Sequence, residues 1–206
     1  MNDDTLRNYS PYNAAITREQ FLFYEMRITS KLVCEKLGDN ILVERITREN
    51  LFQYPTEKSL RRMAHVCIRR LNALGDIFLV QAIATQPIDI SKQICLYAMM
   101  RQYRLVYDFM LNVIGSKYMN LDFSFDKVDL NEFFIRLQSQ DNWVATWSNS
   151  TIIKLKQVLR KILLENEYID STNAKRLNPI LISPILENAI RATGQEVVLP
   201  AFNCLN

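Results

Sequence analysis

Glycine and proline are scarce in this chain of 206 residues, four and six in number, and histidine occurs once. Sandwiches and barrels need many turns, and turns draw on glycine and proline, so the shortage argues for helices. A single histidine, His65, excludes most zinc sites and most Ser–His or Cys–His catalytic pairs. Neither a GxxxxGK[ST] phosphate loop nor a GxGxxG fingerprint occurs. The acidic run "DFSFDKVD" lacks the spacing and the glycine of an EF-hand. Cys34, Cys67, Cys95 and Cys204 lie far apart and fit no metal-ligand pattern; they read as thiols kept in a reducing compartment. Long apolar runs free of charge are missing too. The most apolar stretch, "ICLYAMMRQYRLVYDFMLNVI", holds Arg101, Arg104 and Asp108 in its middle. Each charge would cost roughly 2.5 kcal/mol or more at a bilayer centre. The stretch therefore reads as a core helix with its Tyr and Met residues inward. The start, "MNDDTLRNYS", is acidic and polar, unlike a signal peptide. These absences point to a soluble, cytoplasmic protein that is not an enzyme, needs no metal or cofactor and does not enter a membrane.

About half the residues, 49%, are apolar, ample for a buried core. Helical spacing predicts a first helix over "TREQFLFYEMRITSKLVCEKLG", with Thr17 as N-cap, Gln20 completing a capping box and Gly38 closing it. "NILVERITRENLFQ" forms a second, ended by Tyr54–Pro55. Thr56 caps a third helix that runs from Glu57 to about Leu74, where Gly75 stops it. "DIFLVQAIAT" is a short helix and "QPID" a turn. A long helix then spans about Ser91 to Ile114, bounded by Gly115. Another runs from about Leu130 to Gln138, followed by the loop "DNWVATW", where Trp143 and Trp147 act as packing anchors. Ser148 caps the helix of "SNSTIIKLKQVLRKILLENEYI", and the tail holds a short helical stretch near Leu186. The expected fold class is all-α: a compact, bundle-like helical globule with two helix-turn-helix-like elements. A single domain covers 1–206, with parts at about 17–75, 76–138 and 139–206, and a short β-hairpin wing sits near 167–183.

What the chain does have is positive charge concentrated in two helices. In the helix from Glu57, the residues Leu60, Met63, Ala64, Cys67, Leu71 and Leu74 share one face. Lys58, Arg61, Arg62, His65 and Arg69 lie toward the others. In "STIIKLKQVLRKIL", Ile152, Leu155, Val158, Leu159 and Ile162 face inward, and Lys154, Lys156, Gln157, Arg160 and Lys161 face outward. The stretches 57–71 and 150–163 together hold nine basic residues, Arg70 among them, and one acid, Glu57. The whole chain carries only +3, so everything else is net acidic. Segregation of this kind suits a nucleic-acid surface. Each basic helix also follows a helix and a connection, the order of a helix-turn-helix, whose second helix meets the major groove. Lys and Arg placed there neutralise phosphates or reach guanine edges. Solvated helix faces rich in Lys and Arg are also common in proteins that bind no nucleic acid. His65 reads as a surface residue of this face rather than a catalyst. Because the named side chains point away from the expected core, replacing each should change stability by no more than about 0.5 kcal/mol.

The blocks "YNAAITREQFLFYEMRITSKL", "RRMAHVCIRRLNAL", "MMRQYRLVYDFMLNVI" and "WSNSTIIKLKQVLRKILLENEYI" resemble successive blocks of the BrxA family. These are small accessory proteins of bacteriophage-exclusion (BREX) defence systems. The resemblance runs from about Tyr12 to the last helix, and "RRMAHVCIRRL" and "WSNSTI" are its most specific parts. It implies an all-helical fold, one compared with the NusB-type RNA-binding fold, and a part in blocking unmarked phage DNA. It also implies company: a methyltransferase, an ATPase, an alkaline-phosphatase-like protein and a Lon-like ATPase. It supplies no active site. Residues and resemblance together lead us to expect a non-enzymatic, monomeric accessory protein that binds double-stranded DNA. Its contacts would come from Lys58, Arg61, Arg62, His65 and Arg69, and from Lys154, Lys156, Arg160 and Lys161. A NusB-like RNA-binding protein and an interaction scaffold for other BREX components are the alternatives open to the same residues.

Overall fold

Helical periodicity becomes helix throughout. This computed structural model describes residue 7 and residues 9–205, and among them are eleven α-helices and no strand. Residues 1–6, which carry most of the polar start, lie outside the described residues. The protein is all-α, and its backbone gathers into two compact units. One comprises Phe21–Gln102 and Ser183–Ala189; the other comprises the described residues up to Gln20, Tyr103–Ile182 and the chain from Ile190 onward.

The first unit holds α1 (Phe23–Val33), α2 (Asp39–Arg48), α3 (Glu57–Leu74), α4 (Ile77–Thr85) and α5 (Ile88–Gln102). Helix α3 is its centre and packs on α1, α2 and α5. Its stripe of Leu60, Met63, Ala64, Cys67, Leu71 and Leu74 is buried, as the spacing requires, together with Val66 and Ile68. Thr56 fixes its start by accepting from the Ser59 N–H at 3.3 Å, and Gly75 ends it in the left-handed region at φ 67°.

Two expectations fail at α1. The helix begins at Phe23, not behind Thr17, which belongs instead to a short 3₁₀ turn, Ala15–Thr17. Leu22 adopts φ 58°, and the rings of Phe21 and Phe23 on either side of it are both buried. Burial of two aromatic rings outweighs the capping-box pattern, which is worth about 1 kcal/mol. Gly38 does not close the helix either. Lys36 takes the left-handed turn at φ 59°, and Gly38 stands in extended geometry just ahead of α2. Residues 49–56 join α2 to α3, a longer connection than the three or four residues of a helix-turn-helix.

The second unit is built on α6 (Arg104–Phe109), a π-helical stretch (Met110–Gly115), α7 (Ser116–Met119), α8 (Lys127–Gln140), α9 (Asn142–Ala145) and α10 (Asn149–Glu165). Helix α11 (Pro184–Ala192) lies mostly in the first unit and ends in the second, ahead of a 3₁₀ segment, Glu196–Phe202. The long helix expected over 91–114 is divided at Tyr103, whose backbone is extended. Gly115 does not stop a helix. It lies at the end of the π-helical stretch, where a Cβ would stand 3.1 Å from the Ala201 N and 3.2 Å from the Pro200 carbonyl carbon. Its role is close approach of two backbones.

Asp126 and Asp129 form a capping box at the start of α8, and Ser148 caps α10 by accepting from the Thr151 N–H at 3.2 Å. Phe109, Phe125, Phe133 and Phe134 form an edge-to-face cluster with centroids 5.3–6.5 Å apart. Trp147 is buried and Trp143 half-buried. The wing expected near 167–183 is not a hairpin. Its backbone pairs with the 123–125 segment instead: Leu177 N–H donates to the Phe123 carbonyl, Phe125 N–H to the Lys175 carbonyl, around one isolated bridge between Ser124 and Arg176. Tyr12 donates to Asp108 Oδ2 at 2.6 Å, and Arg104 Nε donates to the same oxygen at 2.8 Å. Burial, then the Asp108 carboxylate, push the Tyr12 phenol up to about 12.

Among the described residues no helix is long and apolar enough to cross a membrane. All four cysteines are free thiols, with Cys67 and Cys95 buried.

Two measurements check this packing. Gly115→Ala should lower stability by about 1–3 kcal/mol, read by urea denaturation, because the two facing atoms are backbone and yield little. Tyr12 has a folded pKa above its unfolded value of about 10, so its contribution is complete below pH 10 and fades as pH rises toward 12. The stability advantage of the parent over Tyr12→Phe should therefore shrink between those pH values.

Candidate nucleic-acid interface

The stripe that anchors α3 leaves its other faces to solvent. Lys58, Arg61, Arg62, His65 and Arg69 are all exposed, while Arg70, counted with them in the sequence, is fully buried and donates from Nη1 to the Phe21 carbonyl at 2.9 Å. Arg61 Nε donates to Glu57 at 2.8 Å, one turn earlier. Arg62 lies near the Tyr54 hydroxyl, which donates to Glu25 Oε1 at 2.6 Å. Burial and the Glu25 carboxylate hold that phenol well above its usual range, and Arg62 opposes them. Helix α2 adds Arg45 and Arg48, which line a groove of about 620 Å³ with Arg61 and the acids Glu44 and Glu57. Arg45 pairs with Glu35 and Glu49, so the groove is mixed in sign and the exposed row of α3 is the more purely cationic surface. Reading the two most basic helices alone missed Arg45 and Arg48; they stand at helical spacing in "VERITREN" beside two acids, Glu44 and Glu49.

On α10, in the other unit, the predicted residues divide. Lys154 and Lys161 are exposed, and Lys156 is half-buried. Lys156 Nζ donates to Asn131 Oδ1 at 2.8 Å and lies 5.6 Å from the centre of the Phe134 ring. Lys161 Nζ donates to Gln20 at 2.8 Å and stands 3.7 Å from Glu165. Arg160 does not face outward. It is buried, with its guanidinium 5.2 Å from the Phe125 ring centre and Nη2 donating to the Ala174 carbonyl. The aromatic cluster beneath α10 attracts the planar cation, and the 166–183 segment supplies its acceptor. Surface cations are thus fewer than sequence counting suggested, on both helices, by one arginine each.

No group of three or more His, Cys, Asp or Glu residues able to hold a metal occurs among the described residues. The arrangement offers exposed cations on regular helices, suited to spaced anionic groups such as backbone phosphates. An all-α protein with cationic helix faces is the class this geometry defines.

Comparison with known proteins narrows it. The model of the BrxA family matches residues 10–194. The protein named BREX protein BrxA from Bacillus cereus (strain H3081.97) is 33% identical over 190 residues, covering 91% of this chain and 94% of that one. Proteins of the same name from Paramagnetospirillum magneticum (strain ATCC 700264 / AMB-1) and Escherichia coli O9:H4 (strain HS) are 22% and 24% identical, over 91% and 84% of this chain and 94% and 80% of theirs. The crystal structure of an uncharacterized protein from Magnetospirillum magneticum shares the fold, with a TM-score of 0.81 at 20% identity, over 94% of this chain and 98% of that one. The chain belongs to the BrxA family.

The split within α10 gives a direct expectation. Arg160→Ala should cost about 1–3 kcal/mol in urea denaturation, since it strips a ring contact and a partly buried hydrogen bond. Lys154→Ala should stay within about 0.5 kcal/mol.

Proposed function

We propose that this chain is a non-enzymatic, double-stranded-DNA-binding accessory protein of a BREX phage-restriction system. The observation that carries the reading is the row of exposed cations on α3, where Lys58, Arg61, Arg62 and Arg69 face water with Glu57 as the one acid of the helix. Lys154, Lys156 and Lys161 on α10 form a second set. Phosphate neutralisation is their common role, and each set is presented from the solvent face of a regular helix. The chain acts as a monomer, because it carries two cationic helices of its own. Relatives named BREX protein BrxA support the placement in phage defence, beside other BREX proteins.

Duplex binding should be weakly sequence-dependent and strongly salt-dependent, with about −0.9 in the slope of log K against log salt for each neutralised phosphate. Four to six simultaneous contacts give a slope of roughly −4 to −5. Replacing Arg61, Arg62 and Arg69 by Ala should weaken binding and flatten the slope by about two to three. Single-stranded DNA and RNA of equal length should compete poorly. Preferential capture of RNA would favour a NusB-like role. An unchanged slope in the folded triple variant, with nuclease-resistant pull-down of another BREX protein, would favour a scaffold.

A further inference from the structure

Arg160 is more than nine-tenths buried, and among the described residues its guanidinium has one hydrogen-bond partner, the Ala174 carbonyl, which accepts from Nη2. Nε and Nη1 are buried with no hydrogen-bond partner among the described residues. A permanently charged group with two such donors is costly, and the natural resolution is an acceptor from outside the chain. Arg160 lines a cavity of about 300 Å³ together with Lys127, Lys175, Thr172, Asn173 and Asp126. Neither lysine side chain has a carboxylate partner among the described residues.

The acids nearby are committed elsewhere. Asp126 Oδ1 accepts from the Val128 N–H at 2.6 Å as the cap of α8, and its own N–H donates to Asp129 at 2.7 Å. Asp122 and Asp129 each pair with Lys117 at 2.9 Å. Three cations therefore converge on one cavity against a single carboxylate already in use. Thr172 and Asn173 add neutral donors on the rim.

We propose that this cavity is an oxyanion site that takes a phosphoryl group, with Arg160 as its buried donor and Lys127 and Lys175 as its charged walls. The site goes beyond the duplex reading and does not need the exposed faces of α3 or α10. Its ligand is a phosphate, carried either by a nucleic acid or by a small phosphorylated molecule.

The test uses the full ¹⁵N-labelled chain and follows the Arg160 Nε–H resonance by NMR. Inorganic phosphate is titrated against chloride at matched ionic strength. The expected result is a saturable shift with phosphate and none with chloride. The double variant Lys127→Gln/Lys175→Gln changes only exposed side chains, so it should fold as the parent does and bind phosphate about tenfold or more weakly. A shift that never saturates, one matched by chloride, or parent-like affinity in the double variant overturns the proposal. A duplex oligonucleotide that displaces phosphate from the parent upholds the site and names nucleic acid as its source. Phosphate that stays bound beside saturating duplex upholds it with a small phosphorylated molecule as the source.

Discussion

Each basic helix has to sink an apolar stripe into its own unit, and that burial decides where every cation on it ends up. Burying one Leu- or Met-sized side chain is worth about 1.5–3 kcal/mol. Reorienting one exposed lysine is worth a few tenths. On α3 the stripe from Leu60 to Leu74 therefore fixes the rotation of the helix, and Lys58, Arg61, Arg62, His65 and Arg69 are left in water. On α10 the stripe from Ile152 to Leu163 does the same for Lys154 and Lys161. The cationic faces are a by-product of core packing, which makes them rigidly placed without any dedicated framework.

The same burial catches one arginine on each helix. Arg70 and Arg160 cannot shed their charge, so each needs an acceptor inside. Both find a backbone carbonyl at a place where the chain departs from regular structure. Phe21 precedes the left-handed Leu22, and its carbonyl meets Arg70. Ala174 lies in the turn-rich segment that failed to become a hairpin, and its carbonyl meets Arg160. The irregular backbone that sequence patterns misjudge is the backbone that supplies these acceptors.

Helix existence was legible because the stripes repeat at 3.6 residues, and the caps Thr56, Gly75 and Ser148 were legible because each acts on its own neighbours. Thr17, Gly38 and Gly115 misled for one shared reason: local chemistry offers a cap or a stop, and distant packing decides whether it is taken. Gly115 is spent on the approach of Pro200 and Ala201, far along the chain. The exposed members of the candidate interface followed from helical phase alone. Arg70 and Arg160 were not legible, because each sits at the margin of its stripe, where phase is ambiguous and a ring or carbonyl from a remote segment settles the matter. The cavity around Arg160 was hidden likewise, since Lys127 and Lys175 join it from sequence neighbourhoods with no common pattern.

In the proposed function, the exposed cations of α3 and α10 contact duplex DNA. Lysine-acetylation footprinting by mass spectrometry, with and without saturating duplex, reads it residue by residue. Lys58 and Lys154 should react several-fold more slowly with DNA present, while the exposed Lys31 and Lys36 of the first unit keep their rates. Unchanged reactivity of Lys58 and Lys154 under conditions where the duplex is bound would contradict the claim.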